Sequence, residues 1–261
     1  MKLSLTLFIL VLFNINIFAQ SPYSLNTQHE FAYYAGGITT AGLGLYLRLK
    51  TPDFTEAEIQ QLRIADINKF DRSGTNFFSE KAHATSNYLW HGSHFMPFLF
   101  LAANDSRADI KKIAVMYGET VFITTGLTLL TKYSTRRARP FNYDPNTPLD
   151  RKQSSNAKGS FFSGHTSLTA SNCFFTAKIF SDYFPDSEWK SAVWVAAAAI
   201  PAVTGYLRVR GGKHFPTDVI VGYIVGAGVG YFIPHFHRTN RKMKNLSISV
   251  GYKSAYMSLQ F

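Results

Sequence analysis

The chain has 261 residues, enough to bury a full core, and it is apolar, with 46% hydrophobic and only 16% charged residues. Its mean hydropathy of −0.04 is nevertheless low for a protein made mostly of membrane spans, so composition alone excludes neither the soluble nor the membrane class. The net charge of +11 suits an anionic partner, such as nucleic acid, anionic lipid or a phosphorylated substrate.

The N-terminus has the pattern of an export signal. Lys2 precedes an apolar run from Leu3 to Phe18, and Ala19 is a small residue at a suitable cleavage point. We therefore predict a signal peptide over residues 1–19. Ile17, three positions before the cut, is a poor cleavage residue, which leaves an uncleaved anchor as the alternative. Cys173 is the only cysteine, which excludes an internal disulfide and a zinc-finger type of metal site.

Six apolar segments, each about one helix long, follow the signal. Most are near the short end of the ~20 residues that a bilayer requires. Glycines in the last segment permit close helix contact. We therefore predict an all-α fold, an antiparallel bundle of five or six core helices that is membrane-associated. The segments are Phe31–Leu47, Tyr88–Ala103, Ile113–Thr131, His165–Phe180, Ser191–Leu207 and Val219–Pro234.

The chain divides into four predicted parts. Residues 1–19 are the signal peptide, and 20–87 form an N-terminal helix and connecting region. The helical core spans 88–237. Residues 238–261 form a basic tail whose alternation of apolar and polar residues predicts short strands in a hairpin.

Polar residues concentrate at three places where apolar segments end or begin. In an antiparallel bundle, the exits of segments three and five and the entries of four and six lie at the same end. We therefore expect one shared site there. Its candidate residues, in chain order, are Lys132, Arg139, Ser163, Gly164, His165, Arg208, His214 and Asp218.

The residue types favour a phosphate site with a nucleophile. Arg139 and Arg208 are suited to bidentate contacts with phosphate oxygens, and Lys132 adds a point charge. The Ser-Gly-His stretch supplies backbone N–H groups at a helix start. Asp218 lies four residues after His214, within reach of one ring nitrogen, which would leave the other nitrogen free as a nucleophile.

Three ordered motifs resemble those of the type 2 phosphatidic acid phosphatase and vanadium haloperoxidase superfamily. Two positions depart from the family pattern: Phe162 stands where Pro is usual, and Leu207 where Ser is usual, which deletes one hydrogen bond to phosphate. The motifs are Lys132 with six residues before Arg139-Pro140, then Ser163-Gly164-His165, then Arg208 with five residues before His214 and three more before Asp218.

The resemblance implies a role for each of these residues. His214 would attack phosphorus and form a phosphohistidine, oriented by Asp218. His165 would protonate the leaving oxygen and then activate water, so the two histidines would start in opposite protonation states and give a bell-shaped pH–rate profile. No metal or other cofactor is implied, because the cations serve instead. The phosphoryl oxygens would be bound by Lys132, Arg139, Arg208, Ser163 and Gly164.

Other charged residues are expected to be peripheral. We expect four cations outside the motifs only to raise the local potential: Arg136, Arg137, Arg210 and Lys213. Four further histidines lack a carboxylate or cysteine partner in the sequence, so we predict interfacial positions rather than metal binding. They are His91 and His94 on one helix side, and His235 and His237 on a strand face.

The predicted function is that of a phosphatase acting on envelope lipids. By resemblance, the candidate substrates are lipid A phosphates, undecaprenyl pyrophosphate, phosphatidic acid and phosphatidylglycerol phosphate, with no nucleic-acid partner. The alternatives are a soluble periplasmic acid phosphatase, more remotely a vanadate-dependent haloperoxidase, and a basic envelope protein that binds anionic lipid without turnover. We expect an inner-membrane protein with five spans and a periplasm-facing site, in which Phe31–Leu47 is peripheral or re-entrant.

Overall fold

The computed structural model describes residues 21–239 and, in the tail, the backbone of 246–251 and 254–259. The predicted signal peptide over 1–19 lies outside the described residues. Within the described part the chain is all-α apart from one hairpin, as predicted. Its helices are α1 (Thr27–Leu49), α2 (Glu56–Gln60), α3 (Glu80–Ser93), α4 (Asn104–Ala108), α5 (Ile110–Thr135), α6 (Leu149–Lys152), α7 (Gly164–Tyr183), α8 (Lys190–Arg210) and α9 (Pro216–His237).

Shorter elements complete the described chain. Strands β1 (Leu246–Gly251) and β2 (Ser254–Leu259) pair antiparallel, which is the hairpin that the alternating tail predicts. Short 3-10 helices lie in the connections, at Ile64–Asp66, Arg72–Asn76, Met96–Leu101, Pro140–Tyr143 and Ser155–Lys158.

Helix α7 is at the centre of the bundle and packs against α3, α5, α8 and α9. Its buried positions include many small polar residues, which lets neighbouring backbones come close. Helix α9 approaches it through glycine: a Cβ at Gly226 would lie 2.0 Å from the carbonyl oxygen of Ser167, and one at Gly230 would lie 2.3 Å from that of Ser171. The contact keeps the starts of α7 and α9 together, at the end where the polar clusters lie.

Helix α1 lies along α5 and runs in the same direction. A Cβ at Gly37 would meet Phe122 and one at Gly44 would meet Leu129, so contacts advance along both helices together. The predicted segment Phe31–Leu47 is therefore part of one continuous helix rather than a re-entrant element.

The second apolar segment differs from its prediction. The helix begins eight residues earlier than Tyr88, at Glu80, where the Ser79 side chain accepts a hydrogen bond from the Ala82 N–H as an N-cap. The helix ends at Ser93, and a 3-10 helix with Pro97 in its first turn follows. The predicted boundary between residues 87 and 88 thus falls inside α3, whose first two turns belong with the core.

Within the described chain, three helical segments are long and apolar enough to cross a membrane: Ile110–Tyr143, which includes α5, Lys190–Arg210 (α8) and Pro216–His237 (α9). These correspond to three of the five predicted spans. Several large apolar side chains on these and neighbouring helices face outward, which fits a membrane-associated bundle. Examples are Phe31, Tyr206, Ile224 and Phe236, which are each more than half exposed.

The last turn of α9 corrects another expectation. His235 and His237 belong to this helix rather than to a strand. His235 is exposed, whereas His237 is buried beside two carboxylates.

Candidate active site

Four helix ends meet around one cavity at the end of the bundle where α5 and α8 end and α7 and α9 begin. The cavity has a volume of about 290 Å³. The wall includes six of the eight residues that the sequence singles out: Lys132, Arg139, Gly164, His165, Arg208 and His214. The other two, Ser163 and Asp218, are fully buried behind that wall.

His214 lies between the carboxylate of Asp218 and the guanidinium of Arg139. Its Nδ1 lies 3.6 Å from Oδ2 of Asp218, slightly beyond hydrogen-bond range, and its Nε2 lies 3.5 Å from Nη1 of Arg139. Burial, reinforced by Lys132 and Arg139, holds the pKa of His214 well below its usual range. The ring is therefore neutral at physiological pH and keeps a lone pair for nucleophilic attack.

The Asp218 carboxylate is fixed by three donors. Oδ2 accepts hydrogen bonds from the Ser160 hydroxyl at 2.5 Å and from the Phe215 N–H at 2.9 Å. Oδ1 accepts a charge-assisted bond from Arg137 Nη1 at 2.6 Å. These bonds fix the orientation of the carboxylate, which faces the imidazole of His214.

Arg137 is therefore not peripheral, contrary to the prediction. It bridges Asp218 and Asp71, donating to Oδ2 of Asp71 at 2.7 Å. Asp71 also accepts from the backbone N–H of Thr217, at 2.9 Å, which ties it to the first turn of α9. Burial alone would raise the pKa of Asp71, but hydrogen bonds from Arg137 and Thr217 outweigh it and lower the pKa. Sequence analysis missed Asp71, because it lies far along the chain in the connecting region.

The three motif cations are oriented by hydrogen bonds to protein groups around the cavity. Lys132 Nζ donates to the carbonyl of Gly159 at 2.7 Å. Arg139 donates to the backbone and side-chain oxygens of Asn156, at 2.8 and 2.9 Å. Arg208 Nη1 lies 3.3 Å from the Ser86 hydroxyl, and its buried Nε has no partner among the described residues. That N–H group is available for an anion in the cavity.

His165 opens α7 and contacts a residue that sequence analysis missed. Its Nε2 lies 2.9 Å from Oδ1 of Asn87, a residue in the middle of α3. Because an amide oxygen only accepts, Nε2 carries the proton and Nδ1 is left for proton transfer. Burial, together with Arg208 and Arg139, lowers the pKa of His165 to about 2.

Burial and the surrounding cations thus favour the neutral form of both histidines, whereas the sequence analysis expects opposite protonation states during the reaction. The cations that lower their pKa values are the ones that would face a phosphate dianion. Two negative charges beside His165 would act in the opposite direction and raise its pKa.

His83 is a further residue of the cavity wall that the sequence did not reveal. Its Nδ1 lies 2.8 Å from Nη1 of Arg208 and accepts the hydrogen bond, since a guanidinium only donates. Burial, with Lys213 and Arg208 beside it, lowers the pKa of His83 to about 4. The i, i+4 spacing of His83 and Asn87 is the one signal that was available, because it places both on one face of a helix.

Lys213 also lines the cavity, contrary to its predicted peripheral position. Burial, helped by Arg151, lowers the pKa of its ammonium group to about 8. Lys213 therefore adds a positive charge to the cavity at neutral pH and loses it in mildly alkaline solution.

Ser163 makes structural contacts, and its predicted role in phosphate binding stays a prediction. Its hydroxyl caps α7, accepting from the Thr166 N–H at 3.4 Å, and lies 2.9 Å from the Thr166 hydroxyl. Its backbone N–H donates to the Asp218 carbonyl at 2.9 Å. Ser163 thereby joins the start of α7 to the start of α9.

Three comparisons relate this chain to known proteins. A lipid A 4'-phosphatase of Porphyromonas gingivalis is 37% identical over 76 residues, which is 29% of either chain, so the similarity spans less than a third of that relative. The crystal structure of a transmembrane PAP2 type phosphatidylglycerolphosphate phosphatase from Bacillus subtilis superposes with a TM-score of 0.47 at 20% identity, covering 77% of this chain and 94% of that one. The sequence profile of the PAP2 superfamily matches residues 112–242, half of the chain, and the chain therefore belongs to the PAP2 superfamily.

Proposed function

We propose that the protein is a lipid phosphatase of the cell envelope that works through a phosphohistidine on His214. One observation carries the proposal. Nε2 of a neutral, buried imidazole faces a cavity lined by Lys132, Arg139 and Arg208, while Nδ1 faces the fixed carboxylate of Asp218. This arrangement suits attack by a nitrogen nucleophile on a phosphorus whose oxygens are held by cations.

In the first step, the Nε2 lone pair of His214 attacks phosphorus and the bond from phosphorus to the lipid oxygen breaks. The positive charge that develops on the ring is stabilised by Asp218. The bound phosphate dianion raises the pKa of His165, which takes up a proton before the reaction. His165 then gives this proton to the leaving oxygen. Arg139, Arg208 and Lys132 neutralise the charge on the three remaining phosphoryl oxygens.

In the second step, neutral His165 takes a proton from water, whose oxygen attacks the phosphohistidine. The phosphorus–nitrogen bond breaks, inorganic phosphate leaves and His214 regains its lone pair. Asn87 holds Nε2 of His165 throughout, so the same ring nitrogen, Nδ1, serves both proton transfers.

The proposed substrate is a phosphate group on a membrane lipid. Outward-facing apolar side chains on the helices around the site would place its mouth beside lipid tails. Lipid A phosphate is the first candidate, supported by the name of the Porphyromonas relative. Undecaprenyl pyrophosphate, phosphatidic acid and phosphatidylglycerol phosphate are the others.

The proposed location is the inner membrane, with the site facing the periplasm. Helix α9 starts at the site and ends at His237, so the basic tail after it leaves from the opposite end of the bundle. Basic segments next to a span favour the cytoplasm. A reporter fused after His237 should therefore be active in the cytoplasm, and activity in the periplasm alone would contradict this orientation.

The proposed activity is tested by phosphate release from a panel of lipid phosphates and from water-soluble p-nitrophenyl phosphate. We expect wild type to hydrolyse at least one lipid faster than the soluble ester, and His214→Ala to lose turnover. His235→Ala, at the far end of α9, is the matched control and should keep full activity. Equal rates on both substrate types would favour a soluble phosphatase, and lipid binding without any phosphate release would favour a non-enzymatic protein.

A further inference from the structure

A second cluster of chemistry-bearing side chains lies at the other end of the bundle, away from the proposed active site. It consists of Glu30 in the first turn of α1, Glu119 in α5 and His237 in the last turn of α9. Asp218 and His237 lie near opposite ends of α9, so at 1.5 Å per residue the two sites are about 30 Å apart. None of these three residues takes part in the proposed reaction.

The cluster is buried and short of hydrogen-bond donors. Glu119 is fully buried, and neither of its carboxylate oxygens accepts a hydrogen bond from the described residues. Oε2 of Glu30 is also buried and has no partner in the part of the chain that the structure describes, while Oε1 accepts from the Asn26 N–H at 3.0 Å. A buried carboxylate without donors is costly unless a positive charge stands beside it.

The tautomer of His237 leaves its second ring nitrogen facing the two carboxylates. Its Nδ1 lies 2.8 Å from the carbonyl oxygen of Ile233, which only accepts, so Nδ1 carries the proton. Nε2 then faces Oε1 of Glu30 at 3.1 Å and Oε2 of Glu119 at 3.4 Å. A divalent cation beside Nε2 would be within reach of both carboxylates and would supply the positive charge that they lack among the described residues.

The distances match those of a metal site. Two ligands of a tetrahedral Zn²⁺ are roughly 3.3–3.5 Å apart when each is about 2.0–2.1 Å from the ion. The two separations from Nε2 are close to this spacing, and all three ligand atoms lie within 4.8 Å of one another. A histidine whose second nitrogen donates to a backbone carbonyl is also the usual arrangement of a metal ligand.

We propose that Glu30, Glu119 and His237 bind one divalent transition-metal ion of the Zn²⁺ or Mn²⁺ class. The ion would connect three helices: the start of α1, the end of α9 and the part of α5 that carries Glu119. The same region is already linked by the Ser24 N–H, which donates to the His237 carbonyl at 3.0 Å. The role of the metal ion would therefore be structural, separate from the phosphate chemistry at the other end of the bundle.

The test uses detergent-purified full-length protein whose affinity tag contains no histidine or has been removed. The protein is stripped with chelator, reloaded with Zn²⁺ or Mn²⁺, freed of excess metal and analysed for metal per chain by mass spectrometry. We expect about one ion per chain in wild type, with a rise in melting temperature on loading.

Variants assign the ion to the cluster. Glu119→Gln and His237→Gln should lose both the metal and the thermal shift, whereas His235→Gln, an exposed neighbour in the same helix turn, should keep both. Glu30→Gln, at a partly exposed helix start, replaces Glu119→Gln if that variant does not fold. Wild type that retains neither metal, or variants that retain as much as wild type, would overturn the proposal and leave a metal-free cluster of two carboxyl groups and an imidazole.

Discussion

At the residue scale, the site depends on charges that lie behind the residues facing the cavity. Asp218 and Asp71 are both fully buried, and Arg137 is the cation that joins them. Removing one partner from a buried charge network leaves the others unpaired, which costs much more than an exposed ion pair is worth. Arg137 therefore supports both the fold and the orientation of Asp218, although it does not face the substrate.

Arg137→Gln tests this positioning role. We expect kcat to fall about tenfold or more with a smaller change in KM, and the free energy of unfolding to fall by roughly 3 kcal/mol. Steady-state kinetics and thermal unfolding in detergent measure the two effects. Arg136→Gln, an exposed neighbour, is the control and should match wild type; an Arg137 variant that also matched wild type would remove Arg137 from this role.

Lys213 makes the site sensitive to alkaline pH. Because the pKa of Lys213 is lowered to about 8, its charge is present below that pH and lost above it. A phosphate monoester stays dianionic over this range. We therefore expect kcat/KM to fall as pH rises through about 8. Lys213→Arg keeps its charge and should shift the fall to higher pH; superimposable profiles of the two proteins would show that Lys213 does not bind the substrate's charge.

At the element scale, the contact between α7 and α9 sets the geometry of the site. The helices meet through glycines, and their first turns carry His165 and Asp218. A side chain at this contact would push apart the two starts that Ser163 joins. Gly226 and Gly228, two residues apart in α9, allow this contact to be tested, because only Gly226 faces α7.

Gly226→Ala should destabilise the protein and Gly228→Ala should not. A Cβ at Gly226 would lie 2.0 Å from a backbone oxygen of Ser167, whereas one at Gly228 has nothing within 4 Å. We expect Gly226→Ala to cost roughly 1–3 kcal/mol and to reduce activity. Gly228→Ala should be neutral or gain up to ~1 kcal/mol from helix propensity. Melting temperatures that ranked the two variants in the opposite order would contradict this packing.

The sequence predicts some elements well and others poorly for a physical reason. Long apolar segments give α5, α7, α8 and α9 nearly at their observed bounds, because periodicity and caps are local signals. The helix around Tyr88 is shifted, since its first turns are polar and carry His83 and Asn87. Asp71, Asn87 and His83 reach the site only because the connection between α1 and α3 returns to it, which no local pattern encodes.

At the scale of the whole molecule, the two ends of the bundle differ in what they bury. The cationic cavity lies where α7 and α9 begin, and a cluster of buried hydrophobic side chains lies towards the other end. Residues of this cluster are Tyr23, Phe100, Ile113, Met116, Phe175, Ile179 and Ile233. The ends of α5 and α8 and the starts of α7 and α9 meet, as the sequence predicts. They do so because consecutive helices run in opposite directions and are joined by direct connections.

The outward apolar side chains predict how the protein partitions. We expect it to stay in the membrane pellet after washing with high salt and with alkaline carbonate, and to be released by detergent. A protein held on the surface only by its charge of +11 would be released by salt, because salt screens exposed charges. Recovery in the salt wash would contradict insertion.

In the proposed reaction, phosphate passes through a covalent intermediate on His214. The most direct test is to mix wild-type protein with a radiolabelled lipid phosphate, quench in alkali within the first turnovers and locate the label by peptide mass spectrometry. We predict an acid-labile phosphate on His214 that is absent from His214→Ala. Phosphate release with no label on His214, or with label on another residue such as His165, would contradict the account.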